Sequence, residues 1–443
     1  MRTLIRQVTA ITLDEQDRVL ENVDIALEDK RIVAVGQAPA DFVPDEIIDG
    51  RELVALPAFF NAHTHAAMTL ERGWAEDLAF EDWLNEKIWV AESALEEEDI
   101  YWGASLAAAE MIRAGIVGFA DHYFWQDHTA RVVEESGMKA LLAWCHFGIG
   151  DEHEVGQASF ETTIRFVERW HKAADGRIRT TMGPHSPYMT PDPVLRRFVE
   201  EAHRLGVGAH FHLSESDEQV HGSLERYNKT PVAHVAELGL FDLPEPTLVA
   251  HCNSVFEGDM ELLASKGVYV AHTPKTYGKL ALTMPPIMRM MERGVRVALG
   301  TDGPASNSDL NLLEVMRLVG VYQKMAHSDP QAMPRLQLLR LATQAPAAAL
   351  GFPESGVLAP GRPADLLLFD TTAPHWIPRH DVAAGIVYTA HPGDIAYVWC
   401  DGRLLYHQGE FLTLDIERVR YEAEKRAFRM VNKPMRSLRA YRV

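Results

Sequence analysis

The amino-acid sequence predicts an α/β fold: a (β/α)8 TIM-type barrel with a small β-sandwich domain formed by the N- and C-terminal segments. Three observations lead there. Short apolar runs rich in β-formers alternate with longer helical stretches through the middle of the chain. Eight such runs fit within about 300 residues, the span of one such barrel. Both ends of the chain share a different texture of strands and turns.

The first segment, with TLIRQVTAITL and ENVDIALEDKRIVAVGQ, alternates apolar and polar residues in part, as short strands do. The eight middle runs are LVALPAFFNAHTH, IVGFADHY, KALLAWCHF, RIRTTMGPH, VGAHFHLSE, TLVAHCNS, VYVAHTP and VRVALGTDG. Stretches such as EEEDIYWGASLAAAEMIRAG and DPVLRRFVEEAHRLG read as the intervening helices. The C-terminal part returns to strand texture in ADLLLFD and IAYVWCDGRLLYHQGEF. The expected division is a composite β-rich domain of residues 1–56 plus 360–443, and a barrel of residues 57–359. An open doubly wound sheet is the alternative, but no glycine-rich nucleotide loop follows any strand.

Bulk properties narrow the function. The net charge of -20, from 63 acidic and 43 basic residues, disfavours nucleic acid as a partner. No apolar run approaches the roughly 20 residues of a membrane span. The N-terminal MRTLIRQVTAITLDEQ turns acidic before a signal-like core develops. Cys145, Cys252 and Cys400 are odd in number, widely spaced and form no CxxC pair. A reducing, cytoplasmic setting is expected.

The chemistry gathers where the strands end. The first ends in His63 and His65, the fourth in His185, and the fifth in His212 followed by Glu215. The sixth ends in His251, the seventh in His272 and the eighth in Asp302. In a parallel barrel these ends open onto one face. Residues i and i+2 of a strand share a side, so His63 and His65 can address one ion. Imidazoles with a carboxylate suit zinc or a similar divalent ion, which makes a bound water nucleophilic near neutral pH. An isolated HxH is more often structural, and Asp302 alone in a TDG turn is an ordinary turn residue. Grouping so many buried polar side chains without pairing or coordination is costly, and the whole set therefore reads as a metal site.

Other candidates read more plainly. Cys252 suits the core, Lys275 and Lys279 suit the surface, and the EEED run at 96–99 suits a solvated helix start. Some chemistries are excluded by missing motifs: there is no PCxxC, no HExxH and no GxSxG.

Taken in order, PAFFNAHTH, GPHSPY, HLSE, AHC and LGTDGPASNSDLN resemble the amidohydrolase superfamily. The resemblance is to the branch holding methylthioadenosine/S-adenosylhomocysteine deaminases, cytosine and guanine deaminases and s-triazine chlorohydrolases. It covers nearly the whole chain. It implies one divalent metal, zinc first and iron second, held by His63, His65, His212 and Asp302. It makes Glu215 the proton shuttle and His251 the group that polarises the reacting centre, with Asp302 relaying a second proton. Two-metal relatives bridge their ions with a carboxylated lysine at the end of strand four; IRTTMGPHSPY has none, which favours one metal.

For the substrate, FEDWLNEKIWVAESAL resembles the segment in which nucleoside deaminases set a carboxylate on the ribose diol, here Glu92. His185 of GPHSPY matches a substrate-contacting histidine. The expected activity is hydrolytic deamination of an amino-substituted N-heterocycle, an adenosine-type nucleoside such as methylthioadenosine above all. Two alternatives are s-triazine or other heterocycle chloro- or aminohydrolysis, and a non-catalytic scaffold. The chain departs from the branch in two places. HTPKTYGKLALTMPP carries Thr276 and Tyr277 where relatives have a serine-asparagine pair, and LLAWCHFGIG lacks an arginine placed there for the homocysteine carboxylate. Homo-oligomerisation is a family-level expectation.

Overall fold

Each middle run supplies one inner strand; the first, LVALPAFFNAHTH, also gives Leu53–Pro57 to an outer sheet. The computed structural model describes residues 1–147 and 160–432. The last residues of LLAWCHFGIG, 148–150, and the end of the C-terminal segment, 433–443, therefore lie outside the described residues. The inner strands are β1 (Phe59–Thr64), β2 (Ile116–Tyr123), β3 (Lys139–Trp144), β4 (Ile178–Thr181), β5 (His210–Leu213), β6 (Leu248–His251), β7 (Tyr269–His272) and β8 (Arg296–Leu299). Nearly every residue in them is buried, as expected of parallel strands covered on both faces.

Strands β1 to β4 pair in parallel as one sheet, and β5 to β8 as a second. Regular ladders stop at the two seams, where single contacts take over. At one, Met182 bridges Ala209, with the His210 amide donating to the Met182 carbonyl at 2.8 Å. At the other, the Asp302 amide donates to the His63 carbonyl at 2.9 Å, and Asn61 Nδ2 donates to Thr301 Oγ1 at 2.7 Å. Gly300 permits that second approach: a Cβ there would lie 2.9 Å from the His63 nitrogen. The end of β8 is thereby held against the end of β1.

Outer helices pack their apolar faces on these sheets. Asp192–Leu205 has Pro193 in its first turn, buries Leu195, Phe198 and Ala202 at helical spacing, and ends at Gly206 with φ +70. Glu97–Arg113 starts from Glu96, whose amide donates to Asp99 at 2.7 Å. Here the expectation of a solvated EEED run needs correcting. Glu97 and Glu98 are exposed, but Asp99 is fully buried and pairs with Arg426 and Arg429. These arginines belong to helix Ile416–Met430, which the strand-like texture of the C-terminal segment did not foretell and which packs on Glu97–Arg113.

The two ends of the chain meet in one nine-stranded sheet. Leu53–Pro57 from the first segment pairs antiparallel with Leu366–Asp370 from the second. Ile5, Val8, Ile25, Ile32, Leu368 and Trp399 belong to its core. Buried Lys139 at the start of β3 bridges Asp365 and Asp401 at 2.5 and 2.6 Å, tying inner strands to outer sheet. All three cysteines are buried and free. Among the described residues, no helix is long and apolar enough to cross a membrane.

Candidate metal centre and substrate pocket

His63 is the penultimate residue of β1, and His65 follows the strand directly. The Asp121 carboxylate accepts the Ala66 amide at 2.7 Å and fixes the turn that follows. His212 comes from β5, across the molecule. One ring nitrogen from each of His63, His65 and His212 lies within 4.8 Å of the others.

Hydrogen bonding decides which nitrogens these are. His65 Nδ1 donates to the His122 carbonyl at 2.6 Å, and His212 Nδ1 to the His185 carbonyl at 3.0 Å. A carbonyl only accepts, so both neutral rings carry their proton on Nδ1 and turn a lone pair inward on Nε2. Those two Nε2 atoms stand 3.4 Å apart. His63 Nδ1 lies 2.9 Å from His210 Nε2, leaving the buried His63 Nε2 without a partner. Asp302 Oδ1 sits 3.5 and 3.4 Å from Nε2 of His63 and His65. Lone pairs facing each other beside a carboxylate form an array suited to a cation, and anchoring each imidazole through its far nitrogen is how proteins orient metal-binding histidines. The residues present fit a divalent ion.

Burial reinforces the protonation states. It drives the His63 pKa down to about 4 and holds His212 well below the ordinary imidazole value, so both rings stay neutral ligands. Burial opposes charge on Asp302 too, but the imidazoles gathered around it prevail and hold its carboxyl well below the usual range. The Gly303 amide donates to this carboxylate at 2.8 Å and the Ser306 hydroxyl at 3.3 Å.

Glu215 and His251 adjoin this centre, with Oε1 and Nε2 separated by 3.7 Å. The Tyr188 hydroxyl donates to Glu215 Oε2 at 3.0 Å, and Thr273 Oγ1 is 3.4 Å from His251 Nδ1. Ser214, His251, Cys252 and Asp302 all have left-handed backbones, with φ between 51 and 80. Such conformations cost non-glycine residues about 1–3 kcal/mol each and concentrate where side chains must be aimed.

Above this floor opens a pocket enclosing about 870 Å³ of space counted out into its mouth. His65, Glu92, His185, His212, Glu215, His251 and Asp302 all face it, while His63 lies beneath. The Tyr123 hydroxyl donates to Glu92 at 2.5 Å. Burial raises the Glu92 pKa to about 7, against the pull of that bond. His185 stacks on Phe147 with ring centres 4.6 Å apart, and burial lowers its pKa to about 3. Phe80, Trp83, Trp89, Phe124, Phe147 and Leu280 form the wall.

Some residues singled out in the sequence stand elsewhere. His272 is buried against Tyr277 and does not line the pocket. Lys275 pairs with Asp309 and Glu314, and Lys279 with Glu76, so neither points inward. Cys252 is fully buried in the main core, as expected. At the departure from the branch pattern, Tyr277 is buried against His251, and Thr276 Oγ1 lies 3.0 Å from Ser306 Oγ. Thr276 thus touches the hydroxyl that holds Asp302.

Sequence reasoning missed His122 and His210. His122 stands one residue before the end of β2; both its nitrogens are buried without partners, and its ring lies 5.0 Å from that of His212. His210 stands two residues before His212, on the same side of β5, and its spacing alone carried the signal.

Parallel strands whose ends gather neutral imidazoles, a carboxylate and an enclosed pocket define an α/β protein equipped to hold a metal over a small-molecule site. The chain belongs to the amidohydrolase family, whose pattern it matches over residues 54–405. It is 43% identical over 434 residues to a 5-methylthioadenosine/S-adenosylhomocysteine deaminase of Dictyoglomus thermophilum, covering 98% of this chain and 100% of the relative. It is 43% identical over 406 residues to a protein of the same name from Moorella thermoacetica, covering 91% and 94%. A solved adenosine deaminase from Xanthomonas campestris with bound zinc superposes with a TM-score of 0.91 at 30% identity, over 97% of this chain and 98% of that one. A zinc complex of atrazine chlorohydrolase from Arthrobacter aurescens gives a TM-score of 0.87 at 25% identity, over 96% and 100%.

Proposed function

We propose that this protein is a metal-dependent hydrolytic deaminase that releases ammonia from an adenosine-type nucleoside such as methylthioadenosine. The observation that carries this reading is the inward-facing Nε2 set of His63, His65 and His212 beside Asp302, with Glu215 and His251 at its edge. His63, His65, His212 and Asp302 would hold one divalent ion, and the zinc in the related structures favours zinc. A bound ion of this kind makes a water nucleophilic near neutral pH.

The chain's own residues then carry the protons. Glu215, steadied by Tyr188, takes the water proton and delivers it to a ring nitrogen of the base. Asp302, ionised at the start, takes up the second proton of the attacking water and passes it to the departing amine, which leaves as ammonia. His251 stabilises the charge that develops as the ring carbon becomes tetrahedral. Glu92, ending among aromatic side chains, accepts hydrogen bonds from the ribose hydroxyls, while His185, neutral and stacked on Phe147, contacts the substrate.

In this reading the two four-stranded sheets work as one (β/α)8 barrel, residues 57–359. The nine-stranded sheet folds as a β-sandwich companion from residues 1–56 and 360–443. The alternative of s-triazine dechlorination uses the same floor and is weighed by product. The test is elemental analysis of the purified protein joined to ammonia and chloride assays over adenosine, methylthioadenosine, guanine, cytosine and chloro- and aminotriazines. One equivalent of zinc with ammonia from the adenosines is expected. Chloride from a chlorotriazine without ammonia from any nucleoside rejects the proposal.

A further inference from the structure

The three imidazoles of the metal floor are not held alike. His65 and His212 give their Nδ1 protons to backbone carbonyls, at 2.6 and 3.0 Å. A carbonyl has no proton to give, so the chain path alone sets those two tautomers. His63 is held by a side chain: its Nδ1 lies 2.9 Å from His210 Nε2, with the rings edge to face and their centres 5.0 Å apart. An imidazole nitrogen either donates or accepts, and this contact is therefore open to two proton arrangements. His210 begins β5, two residues before His212 and on the same side of the strand. Its amide donates to the Met182 carbonyl across the seam between the two four-stranded sheets, and its ring reaches His63 on β1. One strand thus supplies one ligand and supports another.

We propose that His210 is a positioning residue for the metal: it accepts the Nδ1 proton of His63 and so holds the Nε2 lone pair of that ring toward the ion. This rests on the metal reading above. Both rings are fully buried, which favours one proton on each. If His210 donated from Nε2, the His63 proton would stand on its own Nε2, 3.5 Å from Asp302 Oδ1. A nitrogen and an oxygen of the ligand set would then be occupied with each other. With His63 as donor, its Nε2 lone pair joins those of His65 and His212, and the His210 proton sits on Nδ1. That His210 atom is buried without a hydrogen-bond partner, which is costly. An apolar side chain would pack here without that cost, so the nitrogen facing His63 accounts for a histidine at this position.

The test strips the full chain of metal with a chelator and titrates zinc against a chromophoric competitor. His210→Gln keeps an acceptor for His63 Nδ1, whereas His210→Met has nearly the same length and volume without one. His210→Met should weaken zinc binding about 10- to 100-fold, and His210→Gln should stay within about threefold of wild type. Equal zinc affinity in the two variants, whether lowered or unchanged, overturns the proposal, because a packing role does not distinguish them. A second measurement needs no variant to fold: nitrogen-proton correlation spectra of zinc-loaded wild type carrying isotope-labelled histidine. Protons on Nδ1 of both His63 and His210 are expected, and a proton on His210 Nε2 overturns the proposal. A wild-type chain that binds no zinc defeats the metal reading itself, whereas zinc bound by wild type with no difference between the two variants defeats only this inference.

Discussion

The floor and the wall of the pocket are built by opposite means. On the floor, polar side chains stand at strand ends and their far nitrogens are fixed by backbone carbonyls: His65 by His122, His212 by His185. The wall comes largely from the short helical stretch between Phe80 and Glu92 and from strand-end loops, and it holds its shape by ring packing such as Phe80 on Trp83. Rigid scaffolding with fixed polarity suits chemistry that tolerates little displacement. An apolar wall on a short helical stretch and loops outside the sheets suits recognition, where a changed side chain alters the ligand without disturbing the reacting groups.

This contrast can be broken from either side. On the floor, Glu215→Gln should retain stoichiometric metal by elemental analysis while turnover falls about 10²- to 10⁴-fold; near-wild-type turnover with metal bound would remove Glu215 from the mechanism. On the wall, Phe147→Ala takes the stacking partner from His185 and should raise KM about 10-fold while metal content stays intact. A large loss of metal in that variant would mean that floor and wall are not separable.

The boundary between the regions is Glu92, and pH tests it. Burial lifts its pKa to about 7, so the carboxylate form, proposed above to accept the diol hydroxyls, gains population as pH rises through that value. KM for the nucleoside should therefore fall severalfold from pH 6 to pH 8, and Glu92→Gln should flatten the profile. A wild-type KM flat over that range excludes the diol role.

The smallest effect concerns Glu71, buried behind this boundary with neither carboxyl oxygen hydrogen-bonded to protein. Burial, and then the nearby Glu92, raise its pKa well above the ordinary 4.5. The folded state thus holds a proton that the unfolded chain releases, and stability is lost as pH rises above the ordinary carboxylate range. Glu71→Gln removes that loss. Its melting temperature relative to wild type should be higher at pH 8 than at pH 5, and an unchanged difference would show that Glu71 does not stay protonated in the fold.

Much of the floor was readable because strand periodicity is local. His63 and His65 share a side by virtue of their spacing, and each strand-end histidine could be counted without knowing its neighbours. That same rule made His122 and His210 accessible: His210 stands two residues before His212, and His122 one residue before the end of IVGFADHY. The wall was less readable. Trp89 and Phe147 are far apart in the chain, and neither belongs to a periodic pattern that predicts their contact. Asp99 misled for a related reason: in sequence it is one acid in a run of four, and only Arg426 and Arg429, more than 300 positions away, account for its burial.

The sequence by itself determined the alternation of strands and helices, the residues at the strand ends and the chemistry they could support. Hydrophobic period and residue type are written within a few positions of each other. Only the tertiary structure decided which imidazole nitrogen faces inward, that Lys275 and Lys279 turn away, and that no cation lines the described wall. Each depends on partners brought together across tens to hundreds of residues, and a hydrogen bond or an ion pair exists only once the chain has closed that distance.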